Sequence, residues 1–155
     1  MSPRCVSRKS AASLEAAALR IMDANLNRAK EGLRICEDIA RFAVRNEALV
    51  RSAAGLRHTV GHVFAKGPLG RDRLLAARCV AHDPAKKLRL GPGRKRLTDV
   101  FFANSQRVKE ALRVLEEMTK IFDVSASARL QKARFQFYDW EQKTARRLTA
   151  LSHPR

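Results

Sequence analysis

The sequence predicts an all-α domain: a helical bundle of two repeated helical hairpins, with a short connecting helix and a basic loop between them. Three observations carry that prediction. Glycine is sparse, 7 in 155 residues, and is mostly gathered in 55–70 and 91–93. Elsewhere the chain is rich in Ala, Leu, Arg, Lys and Glu, all good helix formers, and no apolar–polar alternation marks a strand. Finally, NLNRAKEGLRICED, starting at Asn25, aligns without gaps on NSQRVKEALRVLEE, starting at Asn104. Repetition on this scale points to two copies of one supersecondary unit related by an approximate two-fold axis.

A first helix is expected from about Leu14 to Arg45, with a bend allowed near Asp23, where Asp-Ala-Asn can restart a turn. A second runs from about Glu47 to Phe64, stopped by Lys66-Gly67-Pro68, and a shorter one from about Arg71 to Cys79. A loop follows over 80–97, carrying His82, Asp83, Pro84 and the basic residues Lys86, Lys87, Arg89, Arg94, Lys95 and Arg96. Thr98 is the expected N-cap of the next helix, with Asp99 well placed in its first turn, and that helix runs to about Phe122. Ser125 or Ser127 then caps a last helix that reaches about Leu151. These boundaries give a basic tail over 1–13 and a single helical domain over 14–151. Repeat one covers about 20–64, the connector 65–97 and repeat two about 98–151.

Projected at 100° per residue, Ile21, Met22, Leu26, Ala29, Gly32, Leu33, Cys36, Ile39, Ala40 and Ala43 share one apolar arc of the first helix, and Asn25 falls inside it. Arg28 sits at the border, and Glu31, Arg34 and Asp38 project to the far side. The second copy repeats the pattern, with Asn104 inside the arc and Arg107 at its edge. An unsatisfied buried amide costs about 1–3 kcal/mol, so both asparagines need partners. Either they bond a neighbouring helix backbone or each other, or they face a cleft and read a small polar ligand beside Arg28 and Arg107. The ladders Glu31–Arg34–Glu37 and Glu110–Arg113–Glu116 are likewise open to two readings: ordinary salt bridges three residues apart, or carboxylates for Mg²⁺ beside arginines for phosphate.

The charge balance, 32 Lys+Arg against 15 Asp+Glu, gives +17 and predicts attraction to polyanions: nucleotides, phosphorylated metabolites or, without sequence preference, nucleic acid. No apolar run is long enough to span a membrane. The scattered Cys5, Cys36 and Cys79 form no CxxC, which favours free thiols in a reducing, cytoplasmic setting. The N-terminal MSPRCVSRKSAAS has the composition of a transit peptide but lacks the apolar stretch of a secretory signal, and reads as a basic tail. There is no Walker-type phosphate loop, no GxGxxG, HExxH or GxSxG. His58 and His62, four apart, lack an evident third metal ligand. GPGRKR is either a phosphate-wrapping segment or a basic linker. Phe135, Phe137, Tyr138 and Trp140 are either packing aromatics or a base-stacking platform.

The run RIMDANLNRAKEGLRICEDIARF, with ANSQRVKEALRVLEE in the second half, resembles the helical domain often fused ahead of thiamine-phosphate synthase in bacteria and sometimes standing alone. That family is regarded as an alternative hydroxymethylpyrimidine-phosphate kinase. The resemblance covers about Arg20 to Glu141. It implies a stand-alone phosphotransferase using ATP and Mg²⁺ on a phosphorylated pyrimidine, with thiamine-phosphate synthase as a partner and room for a homodimer. It also implies residue roles. Arg28, Arg107 and Arg78 would be catalytic phosphate clamps; Asn25, Asn104, Arg57, Arg34 and Arg113 would bind substrate; Glu31, Glu110 and Asp83 would hold metal. In the middle, LLAARCVAHDPAKK resembles a stretch usually reading LLxxRDxxxDVG, so Cys79 stands where Asp is expected and Pro84-Ala85 replaces Val-Gly. On this reading a non-catalytic module that binds thiamine precursors or a synthase is the alternative.

Overall fold

The computed structural model describes residues 11–81, 83–87, 91 and 93–152, and among them there is no strand. Most of the expected tail, together with His82, Arg89, Pro92 and His153, lies outside the described residues. Five α-helices follow in order: α1 Ala11–Ile39, α2 Glu47–Val63, α3 Arg71–Ala77, α4 Leu97–Thr119 and α5 Val124–Ser152. The all-α expectation holds.

Helix α1 begins three residues earlier than expected and runs through Asp23 without a break in its α-helical bonding. Its far end instead widens into a π turn over Ala40–Val44, closed by Arg45 in the left-handed region at φ 55°. Asn46 then caps α2, its side chain accepting from the Leu49 N–H at 3.0 Å. α3 is shorter than expected because Arg78 leaves the helix for extended backbone at ψ 132°.

Two caps differ from the sequence reading. Thr98 lies inside α4: Arg96 is the N-cap residue, and its N–H donates to the Asp99 carboxylate at 3.1 Å. For α5 the capping group is Asp123, which accepts from the Ala126 N–H at 3.0 Å, while Ser127 donates across to the Glu116 carbonyl at 2.8 Å. A carboxylate at a helix N-terminus meets both an orphan N–H and the favourable end of the helix dipole, which favours it over a hydroxyl at the same turn.

α1 packs on α2, α3 and α4, and α5 closes the bundle against α2 and α4. Cys36 lies against Ser105, and a Cβ on Gly32 would meet Val108 at 2.7 Å. Rising numbers on α1 therefore meet falling numbers on α4, and the two helices cross antiparallel. Met22, Leu26, Ala29, Leu33 and Cys36 are buried as projected, but Ile21 is 42% exposed. Phe137 and Trp140 are core residues, and the Trp140 indole N–H donates to the Leu49 carbonyl at 2.9 Å, tying α5 to the start of α2. Phe135 lies on the surface, edge-on to Tyr138 at 5.7 Å.

Candidate functional site

The sequence repeat is matched by equivalent contacts in the two halves. The Asn25 amide donates to the Ile21 carbonyl at 2.8 Å, and the Asn104 amide to the Val100 carbonyl at 2.8 Å. Each amide nitrogen is thus satisfied one turn back in its own helix, not by a neighbouring helix or by its counterpart. The Asn25 side-chain oxygen accepts from Arg28, whereas the Asn104 side-chain oxygen is buried without a partner among the described residues. Arg34 reaches Glu37 at 3.4 Å and Arg113 reaches Glu116 at 2.7 Å. The second-helix arginines complete both clusters: Arg57 Nε donates to Glu37 at 3.0 Å and Arg134 Nε to Glu116 at 2.8 Å. Arg34 and Arg113 therefore belong to ion-pair clusters that join the helices of each hairpin. Glu31 and Glu110 are exposed, and Glu110 accepts from Gln106 at 2.8 Å.

A cleft of about 750 Å³ opens between α1 and the segment that follows α3. Its walls include Arg20, Asp23, Asn25, Arg28, Arg78, Cys79 and Asp83, with Ile21 and Val114 giving an apolar side. The segment is held on α1 by Arg78, which forks onto Asp23 with Nε and a terminal nitrogen at 2.7 and 2.8 Å from the two carboxylate oxygens. These bonds, and the Asp23 charge behind them, hold the Arg78 guanidinium more firmly protonated than usual. A second tie joins Arg73 to Glu15. Arg28 is exposed and donates over a long 3.4 Å to the side-chain oxygen Oδ1 of Asn25, which steadies it at the cleft mouth. Asp83 accepts from the Ala85 N–H at 2.8 Å through one oxygen, and its other oxygen makes no bond among the described residues.

Four of the expected site residues, Asn25, Arg28, Arg78 and Asp83, meet at this cleft. Asn104 and Arg107 are not among its walls. The Asn104 carbonyl oxygen lies 3.2 Å from the Cβ position of Gly32, seven residues beyond Asn25, or about 10 Å along α1. Antiparallel crossing sends equivalent positions to opposite ends of the α1–α4 contact, so the four repeated groups do not share one hollow. Arg57 lines a separate hollow near His58 and His62.

Glu31, Glu110 and Asp83 do not converge: among the described residues no three His, Cys, Asp or Glu side chains group as a metal site. Mg²⁺ is commonly held by one or two carboxylates plus phosphate oxygens, and the open oxygen of Asp83 fits that role. Both Asp23 oxygens are taken by Arg78. Cys79 is disulfide-bonded and not the free thiol expected; Cys36 is free and buried.

Sequence reasoning missed Asp23 as a site residue. The signal was present, because Asp23 and Arg78 both stand in the motif stretches, but nothing in one sequence pairs residues 55 apart.

Fold and cleft together define an all-helical domain that sets three guanidinium groups beside two carboxylates and an apolar wall. The ThiD2 family model matches residues 20–143, and the chain belongs to that family. It is also similar to proteins named thiamine-phosphate synthase. That of Thermosynechococcus vestitus is 40% identical over 125 residues, covering 79% of this chain and 34% of that protein. That of Synechocystis sp. is 41% identical over 125 residues, with the same coverage. That of Synechococcus sp. strain WH7803 is 37% identical over 139 residues, covering 88% of this chain and 36% of the other. The chain spans about a third of the length of these curated relatives. No solved structure matches it. Among the described residues, no helix is long and apolar enough to cross a membrane.

Proposed function

We propose that the chain serves thiamine biosynthesis as a phosphotransferase, converting 4-amino-5-hydroxymethyl-2-methylpyrimidine phosphate to its diphosphate with ATP. Family membership and the name shared by the relatives support the pathway. The observation that carries the chemistry is the cleft, where Arg28 and Arg78 stand with Asp83 beside the apolar side formed by Ile21 and Val114.

Phosphoryl transfer depends on alignment and charge neutralisation more than on a special nucleophile. Here a phosphate oxygen of the monophosphate attacks the γ-phosphorus of ATP. An O–P bond forms, the β–γ bridging bond breaks, and its electron pair leaves on ADP. No strong general base is required, because the attacking oxygen is already anionic. Arg28, exposed and steadied by Asn25, is the group best placed to grip a phosphate. Arg78 spends one face of its fork on Asp23 and keeps a terminal nitrogen for the ligand. Ile21 and Val114 offer an apolar surface to the pyrimidine ring. Asp83 would hold Mg²⁺ together with phosphate oxygens, and the ion would neutralise charge on the transferring group when bound. Arg20 adds cationic charge to the same wall.

A steady-state assay coupling ADP release, with ATP, Mg²⁺ and the pyrimidine monophosphate, tests this reading. Arg28→Gln and Arg78→Gln should each lower kcat/KM about 100-fold, the usual loss when one charge-stabilising donor is removed. A folded chain that yields no diphosphate refutes it. Cys79 and Pro84, standing at positions where the family pattern differs, favour the non-catalytic reading; its signature would be pyrimidine-phosphate binding without turnover.

A further inference from the structure

On the register that aligns Arg57 with Arg134, the two halves differ at the positions that answer their shared cations. In the second half Lys109 pairs with Glu141 at 3.0 Å, and a terminal nitrogen of Arg134 donates to the Tyr138 oxygen at 2.9 Å. The first half keeps the cations, Lys30 and Arg57, but has Phe64 in place of Glu141 and Gly61 in place of Tyr138. Lys30 meets no carboxylate among the described residues, and Arg57 bonds Glu37 through Nε alone, leaving its terminal nitrogens open. A Cβ added at Gly61 would meet nothing within 4 Å.

The outcome is a hollow of about 390 Å³ between α1, α2 and the start of α3. Lys30, Arg57, His58, His62 and Arg71 line it, and no acidic side chain does. It shares no wall residue with the α1 cleft. Cations gathered in one concavity repel each other and focus a positive field, and a bound anion relieves both effects. A lysine point charge, an open arginine fork and two imidazole N–H donors together suit the oxygens of a phosphoryl group.

We propose that this hollow is a second anion site, which takes a phosphoryl dianion where the second half has filled the space and neutralised the charge with its own side chains. The site does not rest on the phosphotransferase reading of the cleft. Its volume, about half that of the cleft, suits a phosphate with a small substituent.

The test is an NMR titration of the whole chain with inorganic phosphate at constant ionic strength, with chloride as the balancing anion. The ring protons of His58 and His62 report the hollow. They should shift saturably in the wild type, and Lys30→Gln should weaken the apparent affinity at least tenfold. Gly61→Tyr, which fills the space as Tyr138 does, should abolish the response, whereas Arg28→Gln in the cleft should leave it intact. Lys30→Gln alters a half-buried cation that has no ion pair among the described residues, and keeps the test decisive if Gly61→Tyr misfolds. Repeating the titration with ADP tells the source: response at lower concentration than with phosphate assigns a nucleotide, equal or weaker response assigns the free anion, and the site stands in both cases. Histidine rings that ignore phosphate, or respond equally in the wild type and Lys30→Gln, overturn the proposal.

Discussion

Replacing Arg134 with Met should destabilise the fold more than replacing Arg57 with Met, although both arginines play the same part in their halves. The difference comes from burial. Glu116 has a side chain only 2% exposed and Arg134 one 11% exposed, whereas Glu37 and Arg57 are 10% and 26% exposed. Removing one partner of a buried pair leaves an uncompensated charge, at about 3–5 kcal/mol. Glu116 would keep Arg113 at 2.7 Å, which sets the cost of Arg134→Met near the lower bound, about 3 kcal/mol. Glu37 is buried but less deeply than Glu116 and keeps Arg34 at 3.4 Å, and Arg57 is the more exposed arginine, so Arg57→Met should cost about 1.5–3 kcal/mol, the worth of one charge-assisted hydrogen bond. Urea unfolding followed by circular dichroism measures both. The double variant Glu116→Gln with Arg134→Met should recover part of the loss, because the stranded charge is gone. Equal costs for the two arginines, or a larger one for Arg57, would refute the reasoning from burial.

Gly32→Ala should destabilise by about 1–3 kcal/mol of overpacking, less up to about 1 kcal/mol of helix propensity, because its Cβ would stand 2.7 Å from Val108; an unchanged melting midpoint would show that α1 and α4 do not approach so closely. The Cys36 thiol is pushed up from 9.0 to about 11, chiefly by burial, with Ser105 pulling the other way and Glu141 adding to the rise. Since the folded state favours the neutral thiol, its contribution is complete below about pH 9 and is lost as pH climbs through about 11. The stability difference from Cys36→Ala should shrink across that window; a flat difference contradicts it. Cys79→Asp, which also breaks the disulfide, should give higher turnover with Mg²⁺ than Cys79→Ser by adding a carboxylate to the cleft wall; turnover no higher than that of Cys79→Ser shows that a carboxylate at position 79 does not serve the metal.

The helices were legible because their signals are local: the apolar stripe through Met22, Leu26, Ala29, Leu33 and Cys36 sits on α1 and needs no partner to be recognised. The caps were less so, since Thr98, Ser125 and Ser127 compete with Asp99 and Asp123 within a turn, and the carboxylates won. Ile21 carried an apolar signal, yet it lines the cleft because the chain after α3 stands off from it, a tertiary effect. The site was half legible. Asn25, Arg28, Arg78 and Asp83 come together, but Asn104 and Arg107 do not join them, because a repeat in sequence does not disclose whether its copies cross parallel or antiparallel. The links Asp23–Arg78 and Glu37–Arg57 span 55 and 20 residues, and the residues between them say nothing of either.

The central claim is that the α1 cleft holds the phosphorylated pyrimidine, and mapping that ligand by amide NMR shifts on the full chain tests it most directly. Saturable shifts centred on 20–28 and 78–84, lost in Arg28→Gln, are the predicted result. Absence of binding, or shifts confined to the hollow around His58 and His62, would contradict it.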